Sequence, residues 1–92
     1  MPNLFKINGY TIFFWSNEIY EPIHVHVSKG NPCANATKVW LTKGGGCFIA
    51  NNNGRIPETD LRKILRLIKN HYFYIVSRWK DYYGTDQIKF YC

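Results

Sequence analysis

The spacing of hydrophobic residues changes once along this sequence, and the change limits the fold more than any other feature. Up to about residue 50, short runs either alternate apolar and polar positions or are almost continuously β-branched and aromatic, as strands are. After the turn at 51–54, apolar residues recur with the period of amphipathic helices. Strands followed by helices predict an α+β fold, an antiparallel meander of about five short strands with two helices packed on one face.

The strand region divides into five runs separated by turns that contain Gly, Asn or Pro. We expect strands at 4–7, 10–15, 23–28, 36–42 and 47–50. In the fourth run, Thr37, Val39 and Leu41 share one face. Lys38 and Trp40 share the other face, where Trp40 is a candidate for an exposed stacking or interface residue.

The helical region contains two apolar stripes. A first helix is predicted from Pro57, with Glu58 and Asp60 at its positive end. The stripes consist of Leu61, Ile64, Leu65 and Ile68, then Tyr72, Ile75, Val76, Trp79 and Tyr83. Asn70 is the predicted joint, and Gly84 the predicted end of the second helix. We therefore predict one domain over 1–92, with strands at about 4–50, helices at about 57–84 and a C-terminal tail at 85–92.

Charge and composition restrict the classes of partner. Twelve Lys and Arg residues against six Asp and Glu residues give a net charge of +6, which favours a nucleic acid or an acidic protein as partner. Three cysteines without C-x-x-C spacing indicate free thiols in a reducing compartment. With no signal-peptide pattern and no apolar run near the roughly 20 residues of a membrane span, we expect a cytoplasmic protein without membrane contact.

The third strand carries the pattern that most resembles a functional site. Ile23, Val25 and Val27 alternate with His24 and His26, so both imidazoles share one face, roughly 6–7 Å apart at Cβ. The apolar residues are expected to face the helices, and the two histidines to lie on the opposite, open face.

Three chemical interpretations of His24 and His26 remain open at this point. They can be ordinary hydrogen-bonded residues of a polar strand face. They can bind a metal ion, for which His71 is the one further histidine. They can also act as base and acid in RNA cleavage, which needs a nearby cation, and Lys38 and Arg55 are the candidates.

The first predicted helix presents a basic row. Arg62, Arg66 and Lys69 fall on one side of this helix, away from its apolar stripe. Such a row is either a solvated surface or a site for phosphates or an acidic partner protein.

The chain resembles the bacterial family named domain of unknown function 4160, and the resemblance covers residues 1–84. The matching pieces are Met1-Pro2, Gly9, 13–18, 21–27, Lys29-Gly30, 60–64, 68–70 and 79–84. The Pro-x-His-x-His run, with His24 and His26, is its most specific part.

The resemblance implies a small cytosolic protein, often encoded beside a second small protein in the manner of a toxin–antitoxin pair. Members often carry a further His directly after the residues that match Asn17-Glu18, where this chain has Ile19-Tyr20. If that His is a metal ligand or catalytic group in the family, this chain lacks it, and a metal site is therefore not expected. No cofactor is expected either.

Two functional hypotheses follow. The first is a toxin-like component of a toxin–antitoxin pair that acts on or near RNA through His24 and His26; as an enzyme it would be a metal-independent ribonuclease. The alternative is a non-catalytic interaction module that binds an acidic partner, such as a cognate antitoxin-like protein, through its basic residues. Lys38, Arg55, Arg62, Arg66 and Lys69 are the candidate anion- or partner-binding residues.

Overall fold

The computed structural model describes residues 3–15 and 18–92, and within them the predicted meander is confirmed. Each strand pairs antiparallel with its neighbour in chain order, so that the described strands form one five-stranded sheet. The strands are β1 (Asn3–Ile7), β2 (Tyr10–Phe13), β3 (His24–Lys29), β4 (Thr37–Leu41) and β5 (Cys47–Asn51). Met1, Pro2, Ser16 and Asn17, which belong to the pieces of the family resemblance, lie outside the described residues.

Strand β2 is shorter than predicted. The hydrophobic run continues to Trp15, but the strand ends at Phe13. Phe13 lies opposite Asn3, the first described residue of β1, so β2 has no further partner on that side among residues 3–15 and 18–92. Phe14 instead packs in the core with its ring edge-on to Trp79, at a centroid distance of 5.2 Å. The aromatic run is therefore a strand followed by a residue, Phe14, whose side chain packs in the core.

The two helices follow the sheet as predicted, but His71, with φ −112°, separates them; the predicted joint at Asn70 is wrong by one residue, because Asn70 is the last residue of α1. They are α1 (Glu58–Asn70) and α2 (Tyr72–Tyr83). Pro57 directly precedes α1, and the left-handed Gly84, with φ 62°, ends α2. Within the described residues, neither helix combines the length and apolar character needed to cross a membrane.

The core lies between the helices and one face of the sheet. It contains Ile12, Val25, Val27, Val39 and Leu41 from the strands, and Leu61, Ile64, Ile68, Tyr72, Ile75 and Trp79 from the helices. The predicted inward direction of the β3 valines is therefore confirmed. His24 and His26 project from the other face, by the alternation of the strand, although the ring of His24, the first residue of β3, also contacts Trp79 of α2.

The C-terminal tail returns to the sheet. The backbone N–H of Ile23 donates to the carbonyl of Lys89 at 2.8 Å, and Tyr91 stacks on Trp40 at 5.0 Å between ring centroids. Trp40 is consequently half-buried, and the expectation of an exposed aromatic platform at this position is wrong. Trp40 lies on the predicted face, but a segment about 50 residues away in the chain covers it.

Candidate functional site

The histidine pair lies in a covered position on the sheet. His24 is opposite Trp40 on β4, and His26 is opposite Lys38 on β4 and Phe13 on β2. Only 1% of His24 and 7% of His26 is exposed, so the expectation of an open histidine face is wrong. The reason is that the connection between β2 and β3 brings Glu18 onto the two rings.

Glu18 joins the two imidazoles through a single atom. Its Oε1 lies 2.7 Å from Nε2 of His24 and 2.7 Å from Nε2 of His26. The two rings are nearly perpendicular, with centroids 4.9 Å apart. We call Glu18, His24 and His26 the Glu–His–His cluster.

The second nitrogen of His24 is also occupied. Its Nδ1 lies 2.7 Å from the carbonyl oxygen of Pro22, which can only accept a hydrogen bond, so Nδ1 carries a proton. If His24 is neutral, its Nε2 carries no proton, and a protonated Glu18 donates the hydrogen bond between them. If Glu18 is ionised, both nitrogens of His24 carry a proton. In either state, His24 and Glu18 share one proton that can be transferred.

The pKa of Glu18 is lowered in this environment. Burial by itself raises the pKa of this carboxyl, but the hydrogen bonds from His24 and His26 and their charges outweigh burial. Glu18 is therefore a carboxylate at neutral pH, and it accepts hydrogen bonds from both imidazoles.

The pKa of His26 is also lowered. Burial is the main cause, and the positive charges of His24 and Lys38 add to it, while the hydrogen bond to Glu18 opposes them. The ring of His26 is thus neutral at pH 7. Because its Nε2–H donates to Glu18, the lone pair is on Nδ1, and no residue in 3–15 or 18–92 hydrogen-bonds to that atom. His26 accordingly has the features of a general base whose orientation is set by a carboxylate.

Lys38 is the one cation candidate that the fold brings to the cluster. It shares a face of the sheet with His26, directly across from it. Its Nζ donates to Oε1 of Glu21 at 2.5 Å and lies 4.3 Å from the ring centroid of Trp40. The cation is therefore held beside His26 by one carboxylate and one aromatic face.

Arg55 lies elsewhere, in the turn before α1, where its φ is 53°. It lines a cleft of about 680 Å³ together with Ser28, Lys29, Cys33, Asn35, Asn52, Asn53 and Gly54. Ser28 connects this cleft to the histidine strand, because it follows His26 on the same face of β3. Arg55 thus belongs to a neighbouring polar cleft and not to the cluster.

The basic row of α1 is also separate from the cluster. Arg62, Arg66 and Lys69 are all exposed, and Arg62 pairs with Glu58 at 2.8 Å on the helix surface. Helix α1 packs through Ile64 and Ile68 against the core. The core and the sheet therefore lie between this basic row and the histidines.

His71 does not join the other two histidines. It is exposed at the joint of the helices, where its Nδ1–H donates to the carbonyl of Leu67 at 2.9 Å. Its ring contacts Phe5 of β1, at 4.9 Å between centroids. The third group at the site is Glu18 instead, whose ligand oxygen and the two imidazole nitrogens all lie within 4.8 Å of one another. Two imidazoles and a carboxylate in this arrangement can hold a metal ion as well as transfer a proton.

Sequence reasoning did not identify Glu18 as a member of the site. It falls in an irregular segment, six residues before His24, where no periodicity indicates a direction for its side chain. A weaker signal could have identified this residue. Glu18 is an acidic residue within the segment that resembles the family, six residues before the first of two histidines that share one face of a strand.

Comparison with known proteins identifies the family. The family model described as Domain of unknown function (DUF4160) matches residues 9–80, which includes the complete Glu–His–His cluster. No curated protein and no solved structure matches the chain. The family model spans most of the 92 residues, and the chain therefore belongs to the family of domain of unknown function 4160.

Proposed function

We propose that this protein is the toxin-like component of a toxin–antitoxin pair, that it acts on RNA in the cytoplasm, and that the Glu–His–His cluster is its reaction site. One observation carries the proposal: a carboxylate oxygen is shared by two imidazoles, and one of these, His26, keeps a ring nitrogen without a hydrogen bond to any described residue. A neutral imidazole next to a proton-bearing His–Glu pair is a base next to an acid.

In the proposed reaction, the 2′-oxygen of a ribose attacks the adjacent phosphorus, and its proton passes to Nδ1 of His26. The bond from phosphorus to the 5′-oxygen breaks, and this oxygen takes the mobile proton of the His24–Glu18 pair. The products are a 2′,3′-cyclic phosphate and a 5′-hydroxyl. Proton exchange with water restores the cluster. Such acid–base catalysis contributes typically 10²–10⁴-fold to a rate.

Lys38 supplies the positive charge in this proposal. It lies across from His26, and its ammonium group can stabilise the charge that develops on the phosphate oxygens. The phosphate reaches this position only when the segment at 18–22 moves, since Glu18 and Glu21 hold the histidines and Lys38 in the closed arrangement. The net charge of +6 favours association with RNA before this step.

Expression of wild type and two variants tests the proposal. Wild type is expected to slow growth and shorten cellular RNA, and His26→Ala to do neither. His71→Ala is the matched control, because His71 is exposed and is not part of the cluster, and it should behave as wild type. Equal growth and equal RNA integrity with wild type and His26→Ala would refute the proposed catalysis.

The second candidate function is a non-catalytic module that binds an acidic, antitoxin-like partner protein. The exposed basic row of α1 favours it, because Arg66 and Lys69 have no salt bridge to any described residue. Arg62→Glu and Arg66→Glu should then abolish co-purification with the product of the neighbouring gene. His26→Ala should leave that complex intact, and the opposite pattern would place the partner on the histidine side.

A further inference from the structure

Three side chains converge on a small volume at the start of β3. One ligand atom from each of Glu18, His24 and His26 lies within 4.8 Å of the other two, and Oε1 of Glu18 is 2.7 Å from each Nε2, although Glu18 comes from a different segment. We infer that these three residues bind a divalent first-row transition metal ion of the Zn²⁺ class. The inference holds for any substrate, and it departs from the expectation, based on Ile19-Tyr20, that the site contains no metal.

The donor set favours such an ion. Two imidazole nitrogens and one carboxylate oxygen are the protein ligands of several catalytic zinc sites, in which water takes the fourth position. Imidazole donors suit zinc and its neighbours in the first row, whereas Mg²⁺ and Ca²⁺ prefer oxygen ligands. A site with two nitrogen donors therefore selects Zn²⁺ over Mg²⁺.

A second observation supports the inference independently of the three ligand atoms. Nδ1–H of His24 donates to the carbonyl of Pro22 at 2.7 Å, which leaves Nε2 as the atom directed at the site. Histidines that bind metals almost always donate their other ring N–H in this way, because the bond fixes the tautomer and the ring orientation. Trp40 and Trp79 contact the same ring, at centroid distances of 5.5 and 5.6 Å. His24 is thus a ligand held rigid before the ion arrives.

An ion requires a small rearrangement of the cluster. Bonds of about 2.0–2.2 Å at angles between 90° and tetrahedral place neighbouring donor atoms about 2.8–3.6 Å apart. Oε1 of Glu18, now 2.7 Å from each Nε2, therefore has to move outward, and the two imidazole nitrogens have to lie at the same spacing from each other. Glu18 lies in a connection outside the sheet, so its movement leaves the ladder between β3 and β4 unchanged.

A bound ion would change the acid–base roles at the cluster. His26 would then hold the ion through Nε2 instead of acting as the base, and the ion would supply acid–base chemistry near neutral pH by lowering the pKa of water. This reassignment rests on the proposed RNA reaction, whereas the metal site does not.

Calorimetric titration of the chelator-treated full chain with ZnCl₂ tests the site. We expect one ion per chain in wild type, and an affinity at least about tenfold weaker in Glu18→Gln and in His26→Gln, each of which loses a ligand. His71→Gln is the matched histidine control. A variant with Ser in place of Cys33, Cys47 and Cys92 excludes the thiols. Both controls should bind as wild type does.

Replacement with Co²⁺ gives a second readout, since visible absorption of intermediate strength reports nitrogen and oxygen ligands, and strong near-ultraviolet bands report thiolates. Circular dichroism of each variant identifies loss of folding. If His26→Gln does not fold, Glu18→Gln keeps the test valid, because Glu18 lies in a connection and not in a strand.

Wild-type affinity in both cluster variants, or no stoichiometric Zn²⁺ in wild type, would overturn the inference. RNA cleavage that persists without bound metal would overturn the metal role alone, and metal binding without any effect on RNA would overturn the proposed function alone.

Discussion

The phenol of Tyr83, at the end of α2, donates a hydrogen bond to the backbone carbonyl of Trp15, 68 positions earlier in the chain. This contact ties the last helix to the segment that leads from β2 toward Glu18. Burial raises the pKa of Tyr83 to about 12, and the negative charge of Glu18 adds to the effect. The second helix therefore helps to hold the residue that covers the histidines.

Tyr83→Phe should lower the free energy of unfolding by about 1 kcal/mol at neutral pH, because the carbonyl of Trp15, in a partly buried position, loses its donor. Urea unfolding monitored by tryptophan fluorescence measures this change. Tyr82→Phe is the matched control, since the hydroxyl of Tyr82 bonds to no described residue and its removal should cost little. An equal loss in both variants would contradict a specific role for Tyr83.

The same tyrosine predicts a pH dependence. The folded pKa of Tyr83, about 12, exceeds the ordinary value of 10.0, so folding favours the protonated phenol. Its contribution is complete below pH 10 and is lost as the pH rises toward 12. Wild type should therefore lose stability more steeply than Tyr83→Phe between these values. Parallel stability curves for the two proteins would contradict this prediction.

The three thiols should differ in their reaction with a disulfide reagent such as DTNB at pH 8. Burial raises the pKa of Cys47, whereas Cys33 and Cys92 are exposed. Two thiols are thus expected to react rapidly and the third slowly in the folded protein. Addition of guanidinium chloride should make all three react at one rate, which provides the control. Rapid reaction of Cys47 in the native state would place it outside the core.

Tyr91→Ala should destabilise the protein by about 1 kcal/mol and change the fluorescence of Trp40, because the stacked pair is removed. Tyr20→Ala is the matched control, since Tyr20 is 85% exposed and is expected to have little effect. Unchanged fluorescence in Tyr91→Ala would show that the tail does not cover Trp40 in solution.

Lys38→Gln should reduce RNA cleavage strongly while it changes the stability of the fold only slightly. Its salt bridge with Glu21 is partly exposed, so its loss should cost less than about 1 kcal/mol. If Lys38 stabilises charge on the phosphate as proposed, RNA cleavage should fall about tenfold or more. Lys63→Gln, on the exposed surface of α1, is the control. Full cleavage activity in Lys38→Gln would remove this lysine from the proposed site.

Local periodicity accounts for much of the fold. The alternation at Val25 and Val27 and the helical stripe at Ile64 and Ile68 each identified the side that packs in the core, because burial of one face is what maintains such a pattern. The strand predicted at 10–15 was too long by Phe14 and Trp15, because a continuous hydrophobic run fits a buried connection as well as a strand. Phe13 pairs with Asn3, the first described residue of β1, and Phe14 packs in the core instead.

The sequence by itself determined that this chain is a strand meander followed by two helices, with His24 and His26 side by side on the face away from the valines. These are properties of neighbouring residues, and backbone geometry fixes them locally. Only the tertiary structure decided that Glu18 joins both imidazoles, that Tyr91 covers Trp40, and that Arg55 and the basic row of α1 lie apart from the cluster. Such contacts join residues from irregular segments to distant strands, and no period in the chain encodes the path of a connection through space.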